Sequence, residues 1–341
     1  MTAALAAACL TGPALAQDDL PNVSIFATGG TIAGSSSSST DTTNYTSGNI
    51  GVDQLLEAVP ELSGVAQISG EQVANTGSFN VDQQILMDLH TAISEAFAGD
   101  TDGVVITHGT DTMEETGFFL DLTVDSDKPI VMVGAMRPAT AIGADGPINL
   151  LQAVTLAGSE EGRGRGAMIV LNDRIGSAYF TTKTDTLALN TFRAIEEGYL
   201  GRFLSNKPYF YYPPVEPVNK PSFDISDVDE LPRVDIVYGY QDVDEQAMNA
   251  AIEAGAEGIV IAAVGNGNIP DRMNEVVEDV IANGIPVVRS TRTGNGIVTA
   301  GTDPGIGSGV YNPQKARIIL MLALATGQSM EEIEEHFLGA L

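Results

Sequence analysis

Two short stretches place hydroxyls and an acid where an apolar run breaks. The mostly apolar Val23 to Ala27 stops at Thr28-Gly29-Gly30-Thr31-Ile32-Ala33-Gly34, and Val104-Val105-Ile106 runs into Thr107-His108-Gly109-Thr110-Asp111-Thr112. Each reads as a buried-type strand that ends on a glycine turn, where the backbone can approach closely and carry a threonine hydroxyl. In an open α/β sheet the carboxyl ends of the strands are where ligands are held. A threonine hydroxyl is a poor nucleophile at neutral pH unless a base or a hydrogen bond in a low dielectric activates it. Lys183, in Thr181-Thr182-Lys183-Thr184-Asp185-Thr186, could take a proton from Thr110 if burial lowered its pKa or Asp111 oriented it. Main-chain N–H groups near Thr110 and in Gly134-Ala135-Met136 could stabilise an oxyanion.

Other chemistries have less to stand on. There are three histidines, His90, His108 and His336, and no Gly-x-Ser-x-Gly elbow, which argues against a Ser-His-Asp hydrolase. No HExxH pair or clustered His/Asp set supports a catalytic metal. The glycines at 29, 30 and 34 lack the lysine of a P-loop and the spacing of a dinucleotide fingerprint. Cys9 is the only cysteine, which excludes a structural disulfide and a cysteine metal site. With 45 acidic against 16 basic residues and a net charge of −29, the protein should repel nucleic acid and anionic membranes. Only five of the sixteen cations are lysines. That balance suits either high salt, where screening removes self-repulsion, or an acidic exported protein without halophily.

The elements that must position these groups alternate between strand and helix. Strands are expected at Val23–Ala27, 103–107, 130–134 and 167–172, with helices at 52–59, 81–98 (capped by Asn80), 111–124 and 147–157. After a proline-rich polar stretch the alternation resumes, with strands near 234–238, 258–262 and 285–289 and helices near 244–254, 270–282, 313–326 and 329–338. This pattern predicts an α/β protein of two doubly wound domains with mostly parallel sheets. The expected boundaries are 17–212 for the first domain, 213–232 for a linker and 233–341 for the second. Residues 1–16 read as a signal peptide, because the apolar run Leu5 to Leu10 is followed by the small-x-small Ala14-Leu15-Ala16. A periplasmic or secreted location is therefore expected. Glu114 and Glu115 are read as acids suited to the positive end of a helix dipole, and the long polar loop 28–49, with its lone Tyr45, as a functional flap.

In joint order and spacing, these segments closely resemble bacterial type II L-asparaginases. The likeness rests on Ala27 to Gly34, Ile106 to Glu115, Val133 to Pro138, the segment through Lys183, Gly265-Asn266-Gly267-Asn268 and Asn312 to Arg317. It implies a larger N-terminal domain and a smaller flavodoxin-like C-terminal one. The implied enzyme is an amidohydrolase that converts L-asparagine to L-aspartate and ammonia through an acyl-enzyme, without cofactor and often with some glutaminase activity. By position, Thr31 would be the nucleophile and Tyr45 the flap residue that activates it. Thr110, Asp111 and Lys183 would form a second triad that orders the amide and the attacking water. Gly30 and Ser78 would hold the substrate α-carboxylate, Asp111 the α-ammonium, and Ala135 the amide end. A homotetramer, as a dimer of dimers, would let Asn268 reach into a neighbour's site. The resemblance breaks at Phe79, where relatives follow the binding serine with a polar residue. It breaks again in 290–311, where Asp303 is the only acid and relatives donate a glutamate across the interface. These departures touch substrate recognition, and leave open a broad-specificity glutaminase-asparaginase or an inactive amino-acid-binding protein on the same fold.

Overall fold

The computed structural model describes residues 20–299 and 304–338. The expected leader 1–16 and Asp303 lie outside the described residues. Strands β1 (Asn22–Gly29), β2 (Gln67–Thr76), β3 (Gly103–Thr107), β4 (Ile130–Val133), β5 (Ala167–Leu171) and β6 (Arg174–Ser177) build the first sheet. A two-stranded ribbon follows, made of β7 (Thr182–Lys183) and β8 (Phe192–Arg193), and then β9 (Gly201–Leu204) and β10 (Lys207–Phe210) return to that sheet. Its order is β10-β9-β6-β5-β4-β3-β1-β2. The run from β2 to β5 is parallel, whereas β6, β9 and β10 pair antiparallel. The second sheet is wholly parallel, in the order β11 (Val234–Tyr238), β12 (Gly258–Ala263), β13 (Val287–Thr291), β14 (Ile306–Gly307).

The helices are α1 (Val52–Glu57), α2 (Gln83–Ala98), α3 (Met113–Thr123) and α4 (Gly146–Ala157) in the first half. In the second they are α5 (Gln246–Glu253), α6 (Asp271–Ala282), α7 (Pro313–Ala325) and α8 (Met330–Leu338). Strand alternation divides their contacts. Val105, Val131 and Val133 point with α4 into one core, while Val104, Ile106 and Met132 point the other way. There they join α2, α3, α7 and α8, and the same apolar cluster continues to Val260 and Val288 of the second sheet. A helical layer is thus shared between the two sheets, which is why α3 is buried almost all round. The far face of the second sheet packs on α5 and α6.

The short strands β6 to β10 and β14 were not expected, and three further differences from the sequence reading have local causes. β2 was not expected: it is an edge strand, largely exposed and polar, with no apolar period to betray it. Helix α2 starts later than expected and is capped by the Asp82 carboxylate, which accepts the Ile85 N–H at 3.0 Å. Asn80 instead closes a 3-10 turn with Ser78 and Phe79. The proline-rich stretch has no regular element, yet it is bound to α3: the Phe223 N–H donates to the Leu122 carbonyl, and Lys220 pairs with the buried Asp121 at 3.1 Å. Burial raises the Asp121 pKa, and the lysine opposes that shift.

Candidate active site

Strand order 2-1-3-4-5 reverses between β1 and β3, the crevice where an open parallel sheet takes its ligand. The register pairs Ala27 with Thr107, so the turns bearing Thr31 and Thr110 leave the sheet side by side. Only glycine lets them touch. A Cβ on Gly30 would lie 2.3 Å from the Gly109 Cα, and one on Gly109 would lie 2.8 Å from the Ser78 side chain. Gly29 and Gly30 also need positive φ, at 104° and 81°. Three loops, after β1, after β2 and after β3, are therefore stacked through two glycines.

Thr31 opens a 3-10 turn and is buried. Its Oγ1 lies 2.7 Å from the Tyr45 hydroxyl. Tyr45, half-buried, comes from the flap, whose two legs are bridged at Ser35 and Thr46. At the tip Asp41 accepts the Thr43 and Asn44 N–H groups at 3.0 and 2.9 Å, contacts that hold its pKa down at about 2. The Ser36 N–H donates to Thr140 Oγ1 at 2.8 Å, and the Ile142 N–H to the Ser39 carbonyl at 2.8 Å. The flap is thus moored to the loop after β4 by contacts near the surface.

On the neighbouring turn, Lys183 Nζ donates to Thr110 Oγ1 at 3.0 Å and pairs with Asp111 Oδ1 at 2.6 Å. Thr110 is buried, Asp111 opens to solvent, and the lysine side chain is 14% exposed. Asp111 thus orients Lys183 toward Thr110, with the lysine as the donor of that bond and not the acceptor of a proton from Thr110. Below this pair lies Glu114, in the first turn of α3 and 3% exposed. Its carboxylate accepts the Lys183 N–H, the Thr182 hydroxyl and the Gln314 amide, with the Asn312 amide at 3.5 Å. Reading Glu114 as a helix-dipole acid missed this role. Its place three residues past Asp111, on the same side of the helix start, was the signal available.

His108 sits fully buried beside Thr110. Its Nδ1 lies 2.7 Å from the Gly109 carbonyl, which can only accept, and Nε2 lies 2.9 Å from Thr116 Oγ1. Nδ1 therefore carries a proton. Burial pushes the ring's pKa down to about 4.

The remaining candidates divide. Ser78 is buried in the stack; its Oγ accepts the Thr112 N–H at 3.3 Å and its carbonyl accepts the Thr112 hydroxyl at 2.8 Å. Phe79 next to it is 69% exposed. Ala135 is buried in the turn after β4; of the Gly134-Ala135-Met136 N–H groups that could serve an oxyanion, that of Met136 is already given to Asp145 Oδ2 at 3.0 Å. The Arg137 N–H goes to the other oxygen of that carboxylate at 2.9 Å. Asn268 lies on an exposed turn after β12, its backbone bridged to Val264, and Arg289 Nε donates to the adjoining Gly267 carbonyl at 2.7 Å. Among the described residues no group of three or more His, Cys, Asp or Glu side chains could hold a metal.

Comparison with known proteins covers nearly the whole chain. The family model "Asparaginase, N-terminal" matches residues 22–216, and "Glutaminase/Asparaginase C-terminal domain" matches 233–337. L-asparaginase 2 of Bacillus subtilis (strain 168) is 49% identical over 327 residues, 94% of this chain and 87% of the relative. L-asparaginase 2 of Escherichia coli (strain K12) is 43% identical over 334 residues, 96% and 94% of the two chains. Among solved structures, a probable cytoplasmic L-asparaginase from Campylobacter jejuni matches with a TM-score of 0.90 and 43% identity, over 94% of this chain and 99% of that one. That match corrects the expectation of a periplasmic or secreted protein. The same fold, at high similarity, belongs to a protein described as cytoplasmic, and the short apolar run that suggested export lies outside the described residues.

Proposed function

The chain belongs to the asparaginase family and is an amidohydrolase of the L-asparaginase kind, and from that premise we propose that it hydrolyses L-asparagine through an acyl-enzyme on Thr31. Thr31 Oγ1 attacks the side-chain amide carbon. Its proton passes by way of the Tyr45 hydroxyl to the leaving nitrogen, the C–N bond breaks, and ammonia departs. Water then attacks the Thr31 ester, releasing L-aspartate and restoring the hydroxyl. Thr110, held by Lys183 and Asp111, orients that water, and the lysine ammonium favours the negative charge that develops on the reacting oxygen.

The observation that carries this reading is Lys183 Nζ, 3.0 Å from Thr110 Oγ1 and 2.6 Å from Asp111, on the turn next to the Thr31–Tyr45 pair. Two activated hydroxyls at adjacent strand ends suit acylation and deacylation of one substrate. Gly30 and Ser78 would take the α-carboxylate, Asp111 the α-ammonium, and Asn268 of a neighbouring copy would complete the pocket in a homotetramer. Ammonia release measured separately with L-asparagine, L-glutamine and D-asparagine tests the reading, with L-asparagine expected to dominate. No release from any of the three would overturn it. Comparable rates with L-glutamine would favour the broad-specificity enzyme, for which the exposed Phe79 is the supporting feature. Light scattering coupled to gel filtration should give four times the chain mass.

A further inference from the structure

We propose that Glu114, gripped from the second domain by Gln314 and backed by Lys315, is the positioning residue that sets Lys183 against Thr110. The proposal rests on the acyl-enzyme reading above and adds the part of the molecule that keeps its lysine in place. Asp111 and Glu114 stand three residues apart at the start of α3 and hold the two ends of one residue. Asp111 pairs with Lys183 Nζ, and Glu114 accepts the Lys183 backbone N–H. The span between the two carboxylates thus fixes where the lysine begins and where it ends.

The Glu114 carboxylate is fully engaged. Oε2 takes the Thr182 hydroxyl and the Lys183 N–H, and Oε1 takes the side-chain amides of Gln314 and Asn312. Hydrogen bonds to an ionised acceptor are about twice as strong as neutral ones, and a buried carboxylate stripped of them would be costly. Asn312 cannot turn away freely, because its Oδ1 caps α7 by accepting the Lys315 N–H at 3.0 Å. Lys315 grips the approach to Lys183 from the same helix start. Its buried Nζ donates to the carbonyls of Ala178, Tyr179 and Thr181 at 2.9, 2.6 and 2.9 Å, which uses all three ammonium protons. Burial lowers the Lys315 pKa to about 8, and the nearby Glu114 opposes that shift. From 178 to 183 the chain is therefore held by α3 on one side and α7 on the other, and the second domain reaches Lys183 through the start of α7.

The test compares Glu114→Ala, Glu114→Gln, Gln314→Ala and Lys183→Met in the full chain, with kcat, KM and melting temperature measured for each. Displacing a reacting group by about 1 Å can cost on the order of 100-fold. Glu114→Ala is therefore expected to lower kcat about 100-fold while KM stays within about threefold. Glutamine keeps one acceptor and must turn its NH2 toward one pair of donors, so Glu114→Gln should recover part of the loss. Gln314→Ala removes one arm and should lower kcat by about 3- to 10-fold. A folded Glu114→Ala with kcat within threefold of the parent would overturn the proposal. If that variant does not fold, the same outcome in Glu114→Gln and Gln314→Ala together overturns it. Should Lys183→Met be fully active, the role of the lysine itself is lost, whereas an inactive Lys183→Met beside normal Glu114 variants removes only the positioning role.

Discussion

The two threonines stand on neighbouring turns but are held in opposite ways. Thr31 has one hydroxyl partner, Tyr45, on a loop moored by contacts to the 139–142 segment near the surface. Thr110 belongs to a network that descends through Lys183 and Glu114 into the start of α7. A flap that supplies the activator can lift to admit substrate and close to exclude water, as lids do in many enzymes. A lysine meant to favour developing charge does best when it is pre-set, because no reorganisation is then needed as the reaction proceeds. On the proposed mechanism, the flap side of the site is its adjustable half and the lysine anchored from the core its rigid half.

Removing the hydroxyls should give the largest effects and asks whether both halves are needed. Thr31→Ala and Thr110→Val are each expected to lower kcat by about 10⁴-fold or more in steady-state ammonia release. The halves should separate in a single-turnover experiment. Thr31→Ala should form no covalent adduct by mass spectrometry, whereas Thr110→Val should accumulate one if its triad serves mainly the water step. An adduct on Thr31→Ala would remove Thr31 as nucleophile. A smaller effect belongs to the adjustable half: Tyr45→Phe deletes only the hydroxyl 2.7 Å from Thr31 and should lower kcat by about 10²-fold. Unchanged kcat in that variant would leave the flap no chemical part.

The rigid half offers a test by pH. His108 is neutral and buried, with its pKa pushed down from 6.5 to about 4. Between those values the unfolded chain binds more protons than the folded one, so this group's contribution to stability is present above pH 6.5 and is lost as pH falls toward 4. The loss should be on the order of 1–3 kcal/mol. His108→Gln cannot take up that proton, so its melting temperature should fall less between pH 7 and pH 4.5 than the parent's. Equal falls would show that His108 does not govern the acid limb.

Much of this arrangement was legible in the sequence, and the exceptions have separate causes. The turns after β1 and β3 were readable because glycine, threonine and an abrupt end to an apolar run coincide there. The register that brings them together, Ala27 beside Thr107, was not legible, because strands buried on both faces carry no period that fixes their neighbours. Edge strand β2 escaped because it is solvated on most of its surface and so has no apolar period. Glu114 escaped for the opposite reason: an acid in a first helical turn has a sufficient local explanation. Its true partners, at 182, 183, 312 and 314, are joined to it only by the folding of two domains onto one helical layer. Of the turn Gly134-Ala135-Met136, the Met136 N–H is withdrawn from any oxyanion by Asp145, a local contact that no periodicity announces.

Phe79 gives the smallest effect and the finest division between the halves, because it lies beside the buried Ser78 but belongs to neither threonine. Its ring is 69% exposed and cannot hydrogen-bond an amino-acid head group, which the family resemblance assigns to a polar residue here. Phe79→Gln restores a donor and an acceptor without disturbing Ser78, whose contacts run to Thr112. One such bond is worth about 1 kcal/mol net, so KM for L-asparagine should fall about fivefold while kcat is unchanged. A fall in kcat instead would mean that the ring takes part in closing the flap, which would tie recognition to the adjustable half. An unchanged KM would place the substrate head group elsewhere, leaving recognition to residues of a neighbouring subunit.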